Sequence, residues 1–318
     1  MKNNKSRVAI AFSIATLVLT GTVFAASPLR GIPNGEPQGS QVTDKRPIIG
    51  EDSVTFGAYD PHGDFDNDPN SKIENLFLPW EDVDLSSLTV ADDYARQRGR
   101  DLLITVEPWS WSVDWRSTPE KLIGGILAGD YDANMAAVCS TAAGLKSKVI
   151  IRWAQEMDEP ENRFTWAHWN SADYVTAYRR MVAVCREHNK TATYMWSPKG
   201  KPGLSMYYPG DDVVDIVGLS VFGLEQYDKD HFGGPRTFAQ ALAPGYELVQ
   251  GFRKPIMIAE LGYVGGSDYV RDWAAEAAKR HPQFPDLTAV VYFNDKEVYP
   301  WPRPYGLPDW RVVSGATN

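Results

Sequence analysis

The chain has 318 residues, 43% hydrophobic and 23% charged, with a formal net charge of −9. That is the composition of an ordinary globular protein with a sizeable core, and its acidity argues against a polyanionic partner such as nucleic acid. The unusual term is aromatic: 11 Trp, 15 Tyr and 12 Phe make 12% of the chain, a surplus that serves either core packing or stacking against sugar faces.

Residues 1–26 have the layout of a secretory signal peptide. Lys2, Lys5 and Arg7 precede an apolar run over 8–19, and Ala25 and Ala26 supply small residues for cleavage. The apolar run is short for a membrane-spanning helix. The expected product is a monomer, secreted or periplasmic, with no membrane attachment after cleavage. Residues 27–50 carry Pro28, Pro33, Pro37 and Pro47 among Gly31, Gly35 and Gly39 without any period. They read as a linker or an extended arm lying on the domain.

From residue 51 to 318 a β/α alternation predicts one domain. Strands are expected at 54–59, 73–78, 102–106, 148–155, 193–196, 213–222, 255–260 and 287–293. Helices are expected at 90–98, after a cap at Asp132, from Ser171, over 238–252 with an interruption at Pro244, and after a cap at Ser267 through Arg280. Eight βα repeats in this length predict a (β/α)8 TIM barrel. An open doubly wound sheet is the alternative, but no Gly-rich phosphate loop follows the first strand.

Two strands carry the chemistry. Val149, Ile150 and Ile151 form a buried run that ends in Arg152, Gln155, Glu156 and Asp158. Ile256, Met257 and Ile258 form a second run, ending at Glu260. In a barrel of this kind the active site lies at the C-terminal mouth, so both carboxylates can face one groove. Glycoside hydrolysis needs two such groups, one protonated and one ionised. Arg152 is placed to hold one of them ionised. The plainer reading is an ion pair at the barrel rim.

The run Ile151-Arg-Trp-Ala-Gln-Glu156-Met-Asp158 resembles the acid/base motif of glycoside hydrolase family 26. The stretch 207–223, the run Pro255-Ile-Met-Ile-Ala-Glu260-Leu-Gly262, and Tyr292-Phe-Asn294 with Asp309-Trp-Arg311 are similar to the same family, in order, across roughly residues 54–312. The resemblance implies a (β/α)8 barrel and a mannanase-like reaction that retains anomeric configuration. It implies Glu156 as acid/base at the end of strand four and Glu260 as nucleophile at the end of strand seven. Three positions depart from the family. Gln155 stands where His is usual, Asp158-Glu159 where Asn-Gly is usual, and Phe222 where a Tyr commonly ends strand six.

Candidate substrate-binding residues are Trp80, Glu107, Trp109, Trp111, Arg152, Gln155, Trp166, Trp196, Phe222 and Tyr263, with Trp115 and Trp169 also just past predicted strand ends. Some of these tryptophans are expected to pack loops instead, and Glu107 fits a rim ion pair equally well. Asp64, Asp66 and Asp68 alternate like the start of a calcium loop, but Pro69 follows and no bidentate Glu is spaced for it, so a solvated acidic loop is expected. The His residues show no metal spacing, and no cofactor is expected. Cys139 and Cys185 lie on helices either side of strand four and are either a disulfide or two buried thiols. The function expected is a secreted β-glycanase, endo-β-1,4-mannanase-like or β-glucanase. The alternative is a polysaccharide-binding or exopolysaccharide-assembly protein on the same barrel.

Overall fold

The structure, a computed structural model, describes residues 44–161 and 163–313. The signal-peptide reading and residues 27–43 of the arm fall outside them. Eight parallel strands close a barrel in sequence order: β1 Thr55–Tyr59, β2 Ser71–Pro79, β3 Asp101–Glu107, β4 Val149–Trp153, β5 Thr193–Trp196, β6 Ile216–Leu224, β7 Ile256–Val264 and β8 Leu287–Phe293. All eight expected strands are present and the (β/α)8 architecture is confirmed.

The alternation along each strand divides the core in two. Ile73, Leu103, Met195, Met257, Ala259, Ala289 and Val291 pack together, with Ile150 and Ile216 against them, and fill the barrel interior. Their neighbours in sequence, such as Leu102, Ile104, Ile151, Val217 and Val290, belong to the larger cluster between sheet and helices. Gly57 belongs to the interior set, because a Cβ there would come within 2.5 Å of Ile73 Cβ, so the close approach of β1 to β2 requires glycine. The next inward positions towards the mouth are no longer aliphatic. On β2 and β3 they are Asn75 and Thr105, bonded to each other, and at the mouth itself stand Tyr59, Phe77, Glu107, Arg152, Ser197 and Phe293.

The helices are α1 Ser87–Gln97, α2 Pro119–Ala128, α3 Asp132–Ala143, α4 Ser171–His188, α5 Glu225–Phe232, α6 Phe238–Val249 and α7 Ser267–Glu276. Two of the expected caps, Asp132 and Ser267, need correction. Asp132 is the first helical residue of α3, and its carboxylate binds Arg180 of α4 at 2.6 and 2.7 Å instead of capping. Helix α4 opens at Ser171 as expected, with Asn170 capping it by accepting from Asp173 N. Ser267 is the first residue of α7 and not its cap, which is Gly266, and the helix ends at Glu276 and not at Arg280. Helices α2 and α5 lie outside the expectation. Helix α2 has a Thr118 cap, Pro119 at its first position and Gly129 at φ 96 as its end, all readable signals. The pair Gly124-Gly125 in its interior masked them.

Cys139 on α3 and Cys185 on α4 form a disulfide, with Cα atoms 5.2 Å apart. The final part of the arm lies on the barrel: Lys45 N donates to Val312 O, Ile48 N to Ala274 O, and Tyr263 OH to Lys45 O. The three aspartates of the suspected calcium loop turn to protein partners. Asp64 accepts from Asn294 Nδ2, Asp66 from the Tyr94 hydroxyl, and Asp68 from Asn70 N.

Candidate active site

A cavity of about 900 Å³ opens at the C-terminal mouth. Glu156, Glu260, Glu107 and Gln155 line it together, with Trp109, Trp111 and Phe222. The two glutamates reach it by different backbone devices. On β7, the register against β6 shifts so that Leu219 pairs with Ile258 and Ser220 with Glu260. The extra residue is Ala259, and the bulge turns Glu260 inward beside it. On β4 the strand ends at Trp153, and a turn follows in which Ala154 and Glu156 both have positive φ, 48° and 53°. Such angles strain non-glycine residues. Glu156 N closes the turn by donating to Ser197 O at 2.7 Å, and Tyr174 OH reaches Ala154 O at 3.3 Å.

Arg152 joins the halves. It is fully buried, donates from Nε to Ser197 Oγ at 2.9 Å, and from Nη1 to Glu260 Oε1 at 2.7 Å. Burial pushes the Glu260 carboxyl above the ordinary carboxylate range. The Arg152 guanidinium pulls it down, and the Glu156 carboxylate pushes it up again. Arg152 thus favours charge on Glu260 against its burial.

Glu156 has a cation of its own. Lys199 Nζ lies 3.8 Å from Glu156 Oε2 and 3.2 Å from Glu159 Oε1. Burial pulls the Lys199 ammonium down, but Glu156 and Glu159 outweigh it and hold it above its usual value. Asp158 fixes that loop by accepting from the backbone N–H of Lys199, Gly200 and Lys201 at 2.6 to 3.0 Å. The Asp158-Glu159 departure thus builds the seat of a lysine that sequence reasoning missed.

The third carboxylate, Glu107, accepts from Gln155 Nε2 and from Trp109 Nε1, each at 3.0 Å. Burial raises its pKa, and those two bonds with the charges of Arg116 and Arg152 oppose the rise.

The aromatic candidates divide sharply. Trp111 lines the cavity and is 49% exposed. Trp109 also lines it, but the Arg116 guanidinium covers its ring at 3.4 Å and Trp166 packs against it. Trp166 itself is buried, stacked on Phe164, with its Nε1 spent on Gln155 O. Trp80, Trp196 and Tyr263 are off the cavity wall, and the expectation that they bind substrate is corrected. Each falls on the outward phase of its strand: Trp80 stacks on Tyr131, Trp196 packs against Tyr208 and Phe252, and Tyr263 packs on Trp273. Trp169 is likewise buried, with Nε1 donating to Pro119 O, and Trp115 is exposed outside the lining.

The wall that sequence reasoning missed is Tyr59, Phe77 and Phe293, with Phe222 beside them. Tyr59 stacks on Phe293 at 5.2 Å, and Phe77 meets both edge-on. Strand phase would have found all three, since each continues an inward-facing series. The segment after β8 adds Glu297, Tyr299 and Trp301. Its signal was its place, directly after a barrel strand.

Residues 119–243 match the family model for glycosyl hydrolase family 26. That span includes Glu156 and not Glu260. A β-1,3-xylanase from an Alcaligenes species is 30% identical over 126 residues, 37% of this chain and 26% of that protein. Endoglucanase H of Acetivibrio thermocellus is 24% identical over 266 residues, 77% of this chain and 27% of that protein. The chain spans about a quarter of the length of these curated relatives. A modular endo-β-1,4-mannanase from Cellulomonas fimi superposes with a TM-score of 0.59 at 16% identity, over 76% of this chain and 65% of that one. GH26C from Muricauda sp. MAR_2010_75 does so at 0.57 and 14%, over 76% and 79%. The structural likenesses show the shared fold, and the resemblance to family 26 read from the motifs is borne out.

Proposed function

We propose that this relative of glycosyl hydrolase family 26 is a retaining β-glycoside hydrolase acting on a β-linked polysaccharide outside the cytoplasm. The observation that carries the reading is the pairing in one cavity of two carboxylates, only one of them clamped by a buried arginine. Arg152 occupies Oε1 of Glu260, which leaves Oε2 to attack the anomeric carbon. As that C–O bond forms, the bond to the leaving sugar breaks, and Glu156 gives its proton to the departing oxygen. Glu156, now ionised, faces Lys199. It then takes a proton from water, whose oxygen attacks the same carbon and releases Glu260 from the ester. This double displacement calls for carboxyl groups about 5 to 5.5 Å apart.

The relatives' names suggest which glycans to try: β-1,4-mannan, β-1,3-xylan and β-glucan. Incubation of the purified protein with these three, followed by assay of new reducing ends, is the test. Release from at least one glycan, abolished by Glu260→Ala and strongly reduced by Glu156→Gln, is the expected result. Binding without any release would favour the polysaccharide-binding alternative. Release that survives Glu260→Ala would remove the assignment.

A further inference from the structure

We propose that Lys199 holds the leaving sugar: its ammonium donates a hydrogen bond to the hydroxyl beside the oxygen that Glu156 protonates, and the buried Glu159 is the positioning residue that presents it. The inference rests on the hydrolase reading and deepens it. Lys199 lines the cavity with both glutamates, and its side chain is 23% exposed. Its ion-pair partners among the described residues are Glu159 at 3.2 Å and Glu156 at 3.8 Å. Only the first is a hydrogen bond. An ammonium has three protons to donate, so two are left for what enters the cavity. Glu159 is buried and spends Oε2 on the N–H groups of Glu161 and Arg163, at 2.8 and 3.2 Å, which leaves Oε1 to Lys199, with Arg163 Nε 3.8 Å away. A buried carboxylate is costly unless it is paired, and this one is paired with a cation on the cavity wall. Asp158 holds the backbone of 199–201, and Gly200, at φ 93°, comes so close to α6 that an added Cβ would stand 3.1 Å from Gly245 Cα.

The side of the cleft follows from the partner. Lys199 pairs with Glu156, whereas Glu260 pairs with Arg152. The nucleophile attacks one face of the anomeric carbon, and the proton goes to the oxygen that departs from the other. The leaving sugar hangs on that oxygen, so groups beside Glu156 meet it. Two hydrogen bonds of about 2.8 Å that share one oxygen span up to about 5.6 Å. The gap between Glu156 Oε2 and Lys199 Nζ is 3.8 Å. An oxygen bonded to Glu156 therefore stands next to the lysine, and the hydroxyl on the neighbouring carbon is within its reach. Lys199 already answers two carboxylates, so an acidic sugar would add a third. A neutral sugar with a free hydroxyl beside the linkage is the class that fits. The same contact serves the second half of the reaction. A sugar bound there turns its hydroxyl towards the glycosyl-enzyme. Its oxygen attacks the anomeric carbon, its proton passes to Glu156, and the ester bond to Glu260 breaks. Lys199 thus makes sugars acceptors alongside water.

The experiment follows the recovery of trapped enzyme. Wild type and Lys199→Met are inactivated with a dinitrophenyl 2-deoxy-2-fluoro glycoside and freed of excess reagent. They then regain activity in buffer alone or with rising mannobiose, β-1,3-xylobiose or cellobiose. Wild type should recover faster with at least one of these sugars, and the effect should saturate. In Lys199→Met the half-saturating concentration of that sugar should rise on the order of 10- to 100-fold. Recovery in buffer should change far less, because water makes no use of the lysine. A half-saturating concentration that does not move overturns the proposal, since a lysine acting only through Glu156 or through the fold would slow both recoveries alike. A wild type that none of the sugars accelerates overturns it as well. If Lys199→Met does not fold, the double variant Lys199→Met/Glu159→Gln, which removes the stranded buried charge, gives the same reading. If no glycosyl-enzyme forms, the hydrolase reading fails. Calorimetric binding of the three disaccharides to wild type and variant then decides the role of Lys199, with a loss of the same size supporting it and equal affinity overturning it.

Discussion

The β4 side and the β7 side of the mouth solve one problem, aiming a carboxylate into a groove, in opposite ways. Strand β7 runs on past Glu260 to Val264, and the bulge at Ala259, where its register shifts against both β6 and β8, re-aims the side chain within the strand. Strand β4 stops at Trp153, and Glu156 stands on a turn with two left-handed residues, tied by its own N–H to the end of β5. The partners differ as well. Glu260 meets a rigid, fully buried guanidinium at 2.7 Å, whereas Glu156 meets a flexible ammonium at 3.8 Å that it shares with Glu159. A nucleophile must hold one charge state and one direction, and an acid/base must change state twice per turnover. The firmer seat belongs to the first task and the looser to the second.

The largest expected effects separate the two carboxylates. Glu260→Ala should lower turnover by about a thousandfold or more on every substrate, as loss of a nucleophile does. Glu156→Gln should cost about a hundred- to ten-thousandfold on a natural glycan, because proton transfer is lost. It should cost much less in the first chemical step with a dinitrophenyl leaving group, which needs no proton. Burst kinetics on the activated glycoside read this difference. Equal losses on both substrates would erase the distinction between the two seats.

The strained β4 side also leans on α3 and α4, which the Cys139–Cys185 bridge joins across 46 residues of sequence. Replacing both cysteines by serine should cost about 4 kcal/mol of stability by loop-closure entropy. Denaturant unfolding measures it, and kcat of the folded fraction should stay the same. On the β7 side, Arg152→Met removes the charge that opposes the burial of Glu260. The nucleophile is then protonated over a wider range, so the acid limb of the activity profile moves to higher pH. The sign for stability follows from the same shift. Glu260 binds its proton more tightly folded than unfolded, so its contribution is most favourable at low pH and is lost as pH rises through the ordinary carboxylate range and beyond. Arg152→Met should steepen that loss, and unfolding free energies across pH measure it. The smallest effect is at the rim: Trp111→Ala should raise KM several-fold and leave thermal stability nearly unchanged. Trp196→Ala, behind the sheet, should instead cost about 3 to 5 kcal/mol.

Strand positions were legible because aliphatic runs such as 149–151 and 256–258 report burial directly. Glu156 and Glu260 were legible because each breaks such a run at its mouth end. What was misread was phase. Trp196 was placed near the groove by sequence distance alone, although Met195 already occupied the inward phase; Tyr263 shares the phase of inward-facing Ala259, and only the bulge beside Glu260 turns it outward. A bulge and a pair of positive-φ residues leave no compositional mark, so the devices that aim the carboxylates could not be seen. Lys199 was hidden for a related reason. Its partners Asp158 and Glu159 lie about forty residues earlier, and only the closed barrel brings β4 beside β5.

The claim that Glu260 attacks sugar is tested most directly by trapping. Wild type is incubated with the activated 2-deoxy-2-fluoro glycoside of whichever glycan it cleaves best, then digested and weighed peptide by peptide. One fluorosugar per chain, on the peptide carrying Glu260 and absent from Glu260→Ala, is the predicted result. A label on any other residue, or steady cleavage of the glycan with position 260 unlabelled and inactivation never appearing, would contradict the account.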